Sequence, residues 1–406
     1  MVLSLEERTL IALVRSQITG EKLILPDEWA SVDWREVMCE AKQQAVVLLA
    51  FEAASQIQES IPVDVFEEWT QDAYATLSNN MQVTFAQNEL VSWLNEKGFP
   101  YIILKGLSAA ADYLRPDLRM LGDVDFLIDT NNQAATEELL KLHGFQRGKG
   151  EHSCHVAFSR KRTILEMHFE IAGIPFGEKG EWVRAVMADA LSAPRTVTLD
   201  DAKFAAPDEV RHGLILLLHM QGHMLGEGLG LRHLCDWGCF VQKTADKAFW
   251  EKFLLPFLKK LGLFRYAATM THTAALYLGT PNLIWADAVE DALCADVMHD
   301  IFESGNFGRK DRVRARSGML VSQHGRNGTG RGTIYNLYQT LHNSTVSVYP
   351  IVKRVRVLHP ILDAARAVRY LYFVAIGKRP SLTDMAPKAT QRKSLYEKLR
   401  IYETEE

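Results

Sequence analysis

The sequence contains no uninterrupted apolar run of about 20 residues, the length a helix needs to cross a bilayer, so no transmembrane segment is expected. Residues 1–17 carry Glu6 and Glu7 where a secretory signal would need a basic start followed by an apolar stretch. Cysteine is scarce. The five present, an odd number, are scattered at positions 39, 154, 235, 239 and 294, which excludes the paired framework of a small secreted domain and fits a reducing, cytoplasmic setting. Net positive charge is also missing: the formal charge is -4, so there is no global attraction to nucleic acid and any RNA binding has to be regional. No internal repeat is visible.

What remains is ordinary globular material, 47% hydrophobic and 24% charged over 406 residues, able to fold and too long for one small core. Apolar positions recur at helical spacing through 3–97, and Lys97-Gly98 supplies a helix stop. The character then changes. The pattern predicts strands at 101–105 and 124–128 with a short helix between them, a helix closed by Gly144, and two strands joined tightly around Lys161-Arg162. Beyond Pro207 helices return. Residues 305–333, rich in Gly and Arg with little periodicity, read as a mobile basic loop, and the polar stretch after Pro380 reads as a fraying tail. The expected class is α+β. A small mixed β-sheet core over 99–205 is flanked by helical segments at 1–98 and 206–380, with a polar tail at 381–406.

The chemistry concentrates at 101–129. Asp123 and Asp125 stand two apart on a strand and so point to one face. Transfer of phosphoryl or nucleotidyl groups needs cations set against phosphate oxygens and a way to ease the charge on the attacking hydroxyl. Asp123 and Asp125 suit two bridged Mg²⁺ ions (or Mn²⁺). Glu166, on the polar face shared with His168 and Glu170, suits the third ligand and a general base, with Glu170 in reserve. Lys105 and Gly106, at a strand-to-helix turn, are expected to cradle the phosphates of a nucleoside triphosphate with a hydroxyl from Ser108, and Arg119 to neutralise the departing pyrophosphate. His168 is expected to orient Glu166 or touch the acceptor, against the plainer reading of a hydrogen-bonded structural histidine. Asp-x-Asp pairs and Lys-Gly turns are each commonplace. Their order, strand, turn, helix, strand, then acidic strand, is what points to a nucleotidyltransferase centre.

The segments LKGLSAAADYL and LRMLGDVDFLI, followed by ILEMHFEI, resemble the DNA polymerase β-type nucleotidyltransferase superfamily, in particular the bacterial group described as uncharacterised nucleotidyltransferase. The resemblance covers residues 85–175, with a weaker likeness out to the helical segment near 306. It implies a minimal mixed sheet flanked by helices, Mg²⁺, and a nucleoside triphosphate that is usually ATP. Two departures bear on the triphosphate pose: the superfamily's Gly-Gly or Gly-Ser is Gly106-Leu107 here, and the gap from Gly106 to Asp123 is longer than its commonest form. The expected reaction is Mg²⁺-dependent transfer of a nucleoside monophosphate to an acceptor hydroxyl or phosphate, on a small molecule or protein. The alternatives are tRNA modification, as in toxin-type relatives, and a non-catalytic nucleotide-binding scaffold that keeps the fold.

Several weaker signals lie outside this core. His212, His219 and His223 share a helix face, and His219 with His223 could bind metal or line the substrate cleft. The segment GEGLGLRHLCDW that follows resembles a Gly-rich, Arg- and Asp-containing segment of the same family, and its Arg232 and Asp236 stand at the i, i+4 spacing that is also that of an ordinary surface ion pair. Cys235 and Cys239 near His233 invite zinc but fit buried small residues better. His152 and His155 could touch substrate or simply be solvated. The arginines of 309–331 could track an RNA backbone or form a solvated loop. Residues 347–379 could form a membrane or partner surface or a packed terminal helix.

Overall fold

The computed structural model describes residues 2–148, 154–175, 177–321 and 357–401, with isolated positions 338, 341, 342, 345, 349, 355 and 403. His152 lies outside the described residues, as do 322–333 of the basic stretch.

The amino-terminal segment folds as its periodicity requires. Helix α1 (Leu5–Thr19) opens with a Ser4/Glu7 capping box and closes at Gly20. Helix α2 (Trp34–Gln43) is capped by Asp33, α3 (Val47–Ala54) is almost wholly buried, and α4 (Val63–Lys97) stops at Gly98, whose φ of 66° is left-handed. Next come β1 (Tyr101–Ile103), the one-turn helix α5 (Leu107–Ala110), β2 (Val124–Ile128), α6 (Gln133–Leu142), β3 (Gln146–Arg147), β4 (His155–Arg160) and β5 (Thr163–His168). Helix α7 (Glu178–Met187) leads to a separate hairpin, β6 (Arg195–Leu199) and β7 (Ala202–Ala206). The helical return comprises α8 (Glu209–Leu225), α9 (Leu231–Thr244), α10 (Leu255–Leu261), α11 (Phe264–Thr273), α12 (Asp291–Ser304), α13 (Arg312–Val321), α14 (Leu358–Ala375) and α15 (Leu382–Leu399).

The five strands lie in the order β1-β2-β5-β4-β3, with β2 and β5 parallel and every other pair antiparallel. Alternation divides the two faces. Val124, Phe126 and Ile128 of β2 and Leu165 and Met167 of β5 enter a small core with Leu90, Val91 and Leu94 of α4. Leu127, on the opposite face, joins the larger helical core built around α1, α3, α8, α9 and α11. The polar side chains of that opposite face are therefore enclosed between sheet and helices.

Three expectations change. The helix after Gly106 lasts one turn, because Ala111–Tyr113 turns toward Pro116. The basic stretch is not a loop through 312–321: Arg314 is buried in α13 and donates to Asp300 and Ser304 of α12, which orders it. The polar tail does not fray at 382–399. It forms α15, with Met385, Ala389, Arg392, Leu395 and Tyr396 buried along one side. Its polarity misleads because the seam buries an arginine and a tyrosine that both reach backbone carbonyls. Helix α14 exposes Ile361, Val368, Leu371 and Tyr372. Among the described residues no helix is long and apolar enough to cross a membrane.

Candidate active site

Register brings the carboxylates together. Asp125 on β2 lies opposite Glu166 on the parallel β5, and Ala157 and His155 of β4 oppose Glu166 and His168 in turn. Asp123 immediately precedes β2, two residues from Asp125, and shares the cleft. The cleft has a volume of about 400 Å³, and its walls include Lys105, Gly106, Asp123, Asp125, Glu166 and His168. A larger, mostly apolar groove of about 560 Å³ beside α1 carries no comparable cluster.

Asp125 is the hub. Its Oδ1 lies 2.9 Å from Lys105 Nζ and 2.9 Å from His168 Nε2. Burial alone would raise the Asp125 pKa, but the Lys105 ammonium and the His168 hydrogen bond overcome it and hold the carboxyl well below its usual range. The reverse holds for the partners: despite burial, Asp125 raises both Lys105 and His168. Asp123 moves the other way, raised by burial and by the charge of Asp125, with Lys105 opposing. His168 Nε2 also lies 3.5 Å from Glu166 Oε2, and His155 Nε2 lies 3.6 Å from the same oxygen. Ligand atoms of Asp125, Glu166 and His168 all fall within 4.8 Å of one another. Asp123, Asp125 and Glu166 are the oxygen donors able to hold a hard divalent cation, which would relieve the repulsion that raises Asp123.

Gly106 supplies the turn that brings Lys105 to this hub. Its φ of 61° and ψ of -114° suit glycine, and a Cβ would be strained there by conformation rather than by space. Two phosphate-cradle expectations fail. Ser108 is fully buried and donates its hydroxyl to the Ile103 carbonyl at 2.6 Å, so it points into the fold and away from the cleft. Arg119 reaches the cleft wall, but its guanidinium is committed to Asp236 by Nε–Oδ1 and NH2–Oδ2 contacts of 2.7 Å each. Glu170, the reserve carboxylate, lies beyond β5 and pairs with Arg184.

The opposite wall comes from α8 and α9. His219 and His223 line it, with Nε2 atoms 2.9 Å apart. His212 leaves that face and pairs with Asp112 at 2.9 Å in the interior. Burial, and then the charge of Lys105, push His219 well down and His223 down to about 3, so both rings are neutral. His233 packs behind them, its ring centroid 5.4 Å from His219 and 5.0 Å from His223. Arg232 does not form the expected surface pair, since Asp236 is 6% exposed and turned to Arg119. Cys235 and Cys239 are buried with pKa values raised by that burial. Arg232, from the family-like segment, lines this wall, whereas Phe307, whose φ of 59° and contacts with His223 and His233 place it at the rim, escaped the sequence reading. The Gly305-Asn306-Phe307-Gly308 punctuation was the available signal.

A family model described as uncharacterised nucleotidyltransferase matches residues 30–279. The chain belongs to this family. The matched segment holds the acidic strand wall and the α8–α9 wall of the cleft, and stops before Phe307. No curated protein matches the chain.

Proposed function

We propose that the protein is a polymerase β-type nucleotidyltransferase that moves a nucleoside monophosphate from a nucleoside triphosphate, ATP in the first instance, to an acceptor hydroxyl or phosphate. One observation carries this reading: Asp125 and Glu166 are in register on adjacent parallel strands, with Asp123 two residues away and Lys105 held at their centre. An ordinary buried ion pair needs one carboxylate, and the clustering of like charges has a cost that a metal-dependent reaction explains.

Asp123, Asp125 and Glu166 would hold Mg²⁺ or Mn²⁺, which when bound supplies charge neutralisation at the phosphates. The side chains account for the rest. Glu166 is placed to accept the proton of the attacking group, and His168 fixes its position from the Asp125 side. The bond formed joins the acceptor oxygen to the α-phosphorus, the bond broken is that to the bridging oxygen, and pyrophosphate carries away the electron pair. Lys105 lies beside the same carboxylates to meet the developing negative charge.

A small-molecule or protein acceptor is favoured over tRNA by the net charge of -4, although Arg309 and Arg312 of the basic stretch are exposed. Lys310 pairs with Glu40 at 2.7 Å and Arg314 is buried. The deciding experiment incubates wild type and Asp123→Asn with each α-labelled triphosphate, Mg²⁺ or Mn²⁺, and cell extract separated into protein, RNA and small molecules. Label confined to one fraction with wild type establishes transfer and names the acceptor class. Nucleotide bound but never transferred, with every fraction supplied, would replace this reading with that of a scaffold.

A further inference from the structure

The two arginines of the cleft differ in what they are tied to. Asp236 accepts from Arg119 Nε and NH2 and from the Tyr113 hydroxyl, each at 2.7 Å. Its oxygens are thereby engaged, although Arg232 stands one helical turn away. Arg232 has no carboxylate partner among the described residues. Its Nε is buried without an acceptor, one terminal nitrogen reaches only the Met120 carbonyl at 3.4 Å, and its guanidinium lies 5.6 Å from the Phe307 ring. Beside it His233, 1% exposed, accepts from the Gly230 amide at Nδ1, which leaves the proton of the neutral ring on Nε2, again without an acceptor. Buried donors of this kind are costly when unmet, and an unpaired buried cation more so.

The histidine cluster could instead be taken as a zinc site, since one ring nitrogen from each of His219, His223 and His233 lies within 4.8 Å of the others. Its surroundings oppose a dication. A metal at His233 Nε2 would displace the proton that the Gly230 contact places there, the His219–His223 contact is satisfied by one shared hydrogen, and the charges that act most on the His219 and His223 rings are Lys105 and Arg232, both positive, with Asp125 opposing at His223. The same surroundings favour an anion. The first backbone amides of α9 do not provide its site, because Gln44 already takes those of Leu231 and Arg232.

We infer that Arg232 seats a phosphate group in the cleft, in place of Arg119. Arg119, Asp236 and Tyr113 form the frame that leaves Arg232 unpaired. The phosphate comes either from the tail of the nucleoside triphosphate or from the acceptor. Only this naming of sources rests on the proposed function; the anion seat itself does not.

The test titrates inorganic pyrophosphate into the full chain by calorimetry in metal-free buffer, using wild type, Arg232→Gln, Arg232→Lys and Asp125→Asn. The expected result is binding by wild type, a loss of tenfold or more in Arg232→Gln, a smaller loss in Arg232→Lys, and retention in Asp125→Asn. Pyrophosphate binding by Arg232→Gln within twofold of wild type would overturn the inference, as would absence of binding by wild type. Should the glutamine variant not fold, affinity unchanged in Arg232→Lys would overturn it equally, because a point ammonium cannot reproduce the guanidinium fork. Repeating the titration with an α,β-methylene ATP analogue present separates the sources: displacement assigns the seat to the nucleotide tail, and simultaneous binding assigns it to the acceptor. Retained binding in an Asp125→Asn protein that transfers no label leaves the seat standing, whatever becomes of the proposed reaction.

Discussion

The two walls of the cleft handle charge in opposite ways. On the strand wall, opposite charges are concentrated and satisfied: Asp125 carries Lys105 and His168 on one oxygen, and Glu166 sits beside two histidines. On the helix wall the imidazoles are neutral and the Arg232 cation makes no ion pair with a carboxylate among the described residues. A strand pair can hold side chains in register at close range, so it suits groups that must meet one small ion. A helix pair offers a broader surface with fewer fixed contacts, which suits a larger ligand that brings its own charge. The cleft is thus complete on one side and open to completion on the other.

The largest expected effect comes from breaking the strand wall. Asp125→Ala should reduce transfer at least a thousandfold, measured with labelled triphosphate, and should also cost about 3–5 kcal/mol in urea unfolding, because Lys105 would lose its ion-pair partner and His168 its shortest hydrogen bond. Asp123→Asn, which removes a carboxylate already crowded by its neighbour, should lose the activity with little loss of stability. A fully stable Asp125→Ala protein would show that the hub is not a structural pair at all.

A second contrast sets Asp236 against Arg232. Asp236→Ala removes the acceptor of a buried arginine and a buried tyrosine and should destabilise by about 3–5 kcal/mol. Arg232→Gln removes a charge that has no partner and should leave the unfolding midpoint unchanged or raised. The reverse order in urea titrations would mean that Arg232, not Arg119, is the structural member.

The helix wall also predicts a pH dependence. His219, His223 and His233 are all lowered on folding, His223 to about 3. Between that value and the ordinary histidine pKa near 6.5 these rings bind more protons in the unfolded chain, so their contribution to stability rises with pH across this window and levels off above it, where the raised His168 begins to lose its own. Each such histidine contributes at most about 1.4 kcal/mol per pH unit. Melting scans from pH 7 to pH 4.5 should show a steep fall, and His223→Gln should flatten it. A flat wild-type profile would mean that these rings charge freely.

The smallest effect is expected at Ser108. Ser108→Ala removes one hydrogen bond to the Ile103 carbonyl and should cost about 1 kcal/mol, with the KM for the triphosphate unchanged. A tenfold rise in that KM would return the hydroxyl to the phosphate cradle.

Much of this was written locally. The strands, the tight Lys161-Arg162 turn and the register of Asp125 with Glu166 follow from a period of two and from turn residues, and the structure keeps them, with Asp123 just ahead of its strand. The misreadings share one cause. Ser108, Arg119, Arg232 and Arg392 carry polar groups whose partners lie far off in the chain or on the backbone, so nothing near them in sequence reveals the bond. Arg119 meets Asp236, 117 positions away, and Arg392 meets the Met224 carbonyl, 168 positions away. Where strand pairing sets the neighbour, as with Glu166 opposite Asp125, the pattern was readable; where tertiary packing chose it, the pattern named a plausible but wrong neighbour.

Helix α15 carries that last contact to a consequence of its own. Arg392 donates to the carbonyls of Met224 and Gly226, and the Tyr396 hydroxyl also donates to that of Met224, so the carboxyl-terminal helix clasps the end of the helix bearing His219 and His223. A nascent chain on the ribosome would finish its acidic strands long before this clasp could form. The end of the histidine-bearing helix would then be held only once Arg392, 168 positions further along the chain, has been made. A chain truncated after 380 should keep its sheet and lose its grip on phosphate.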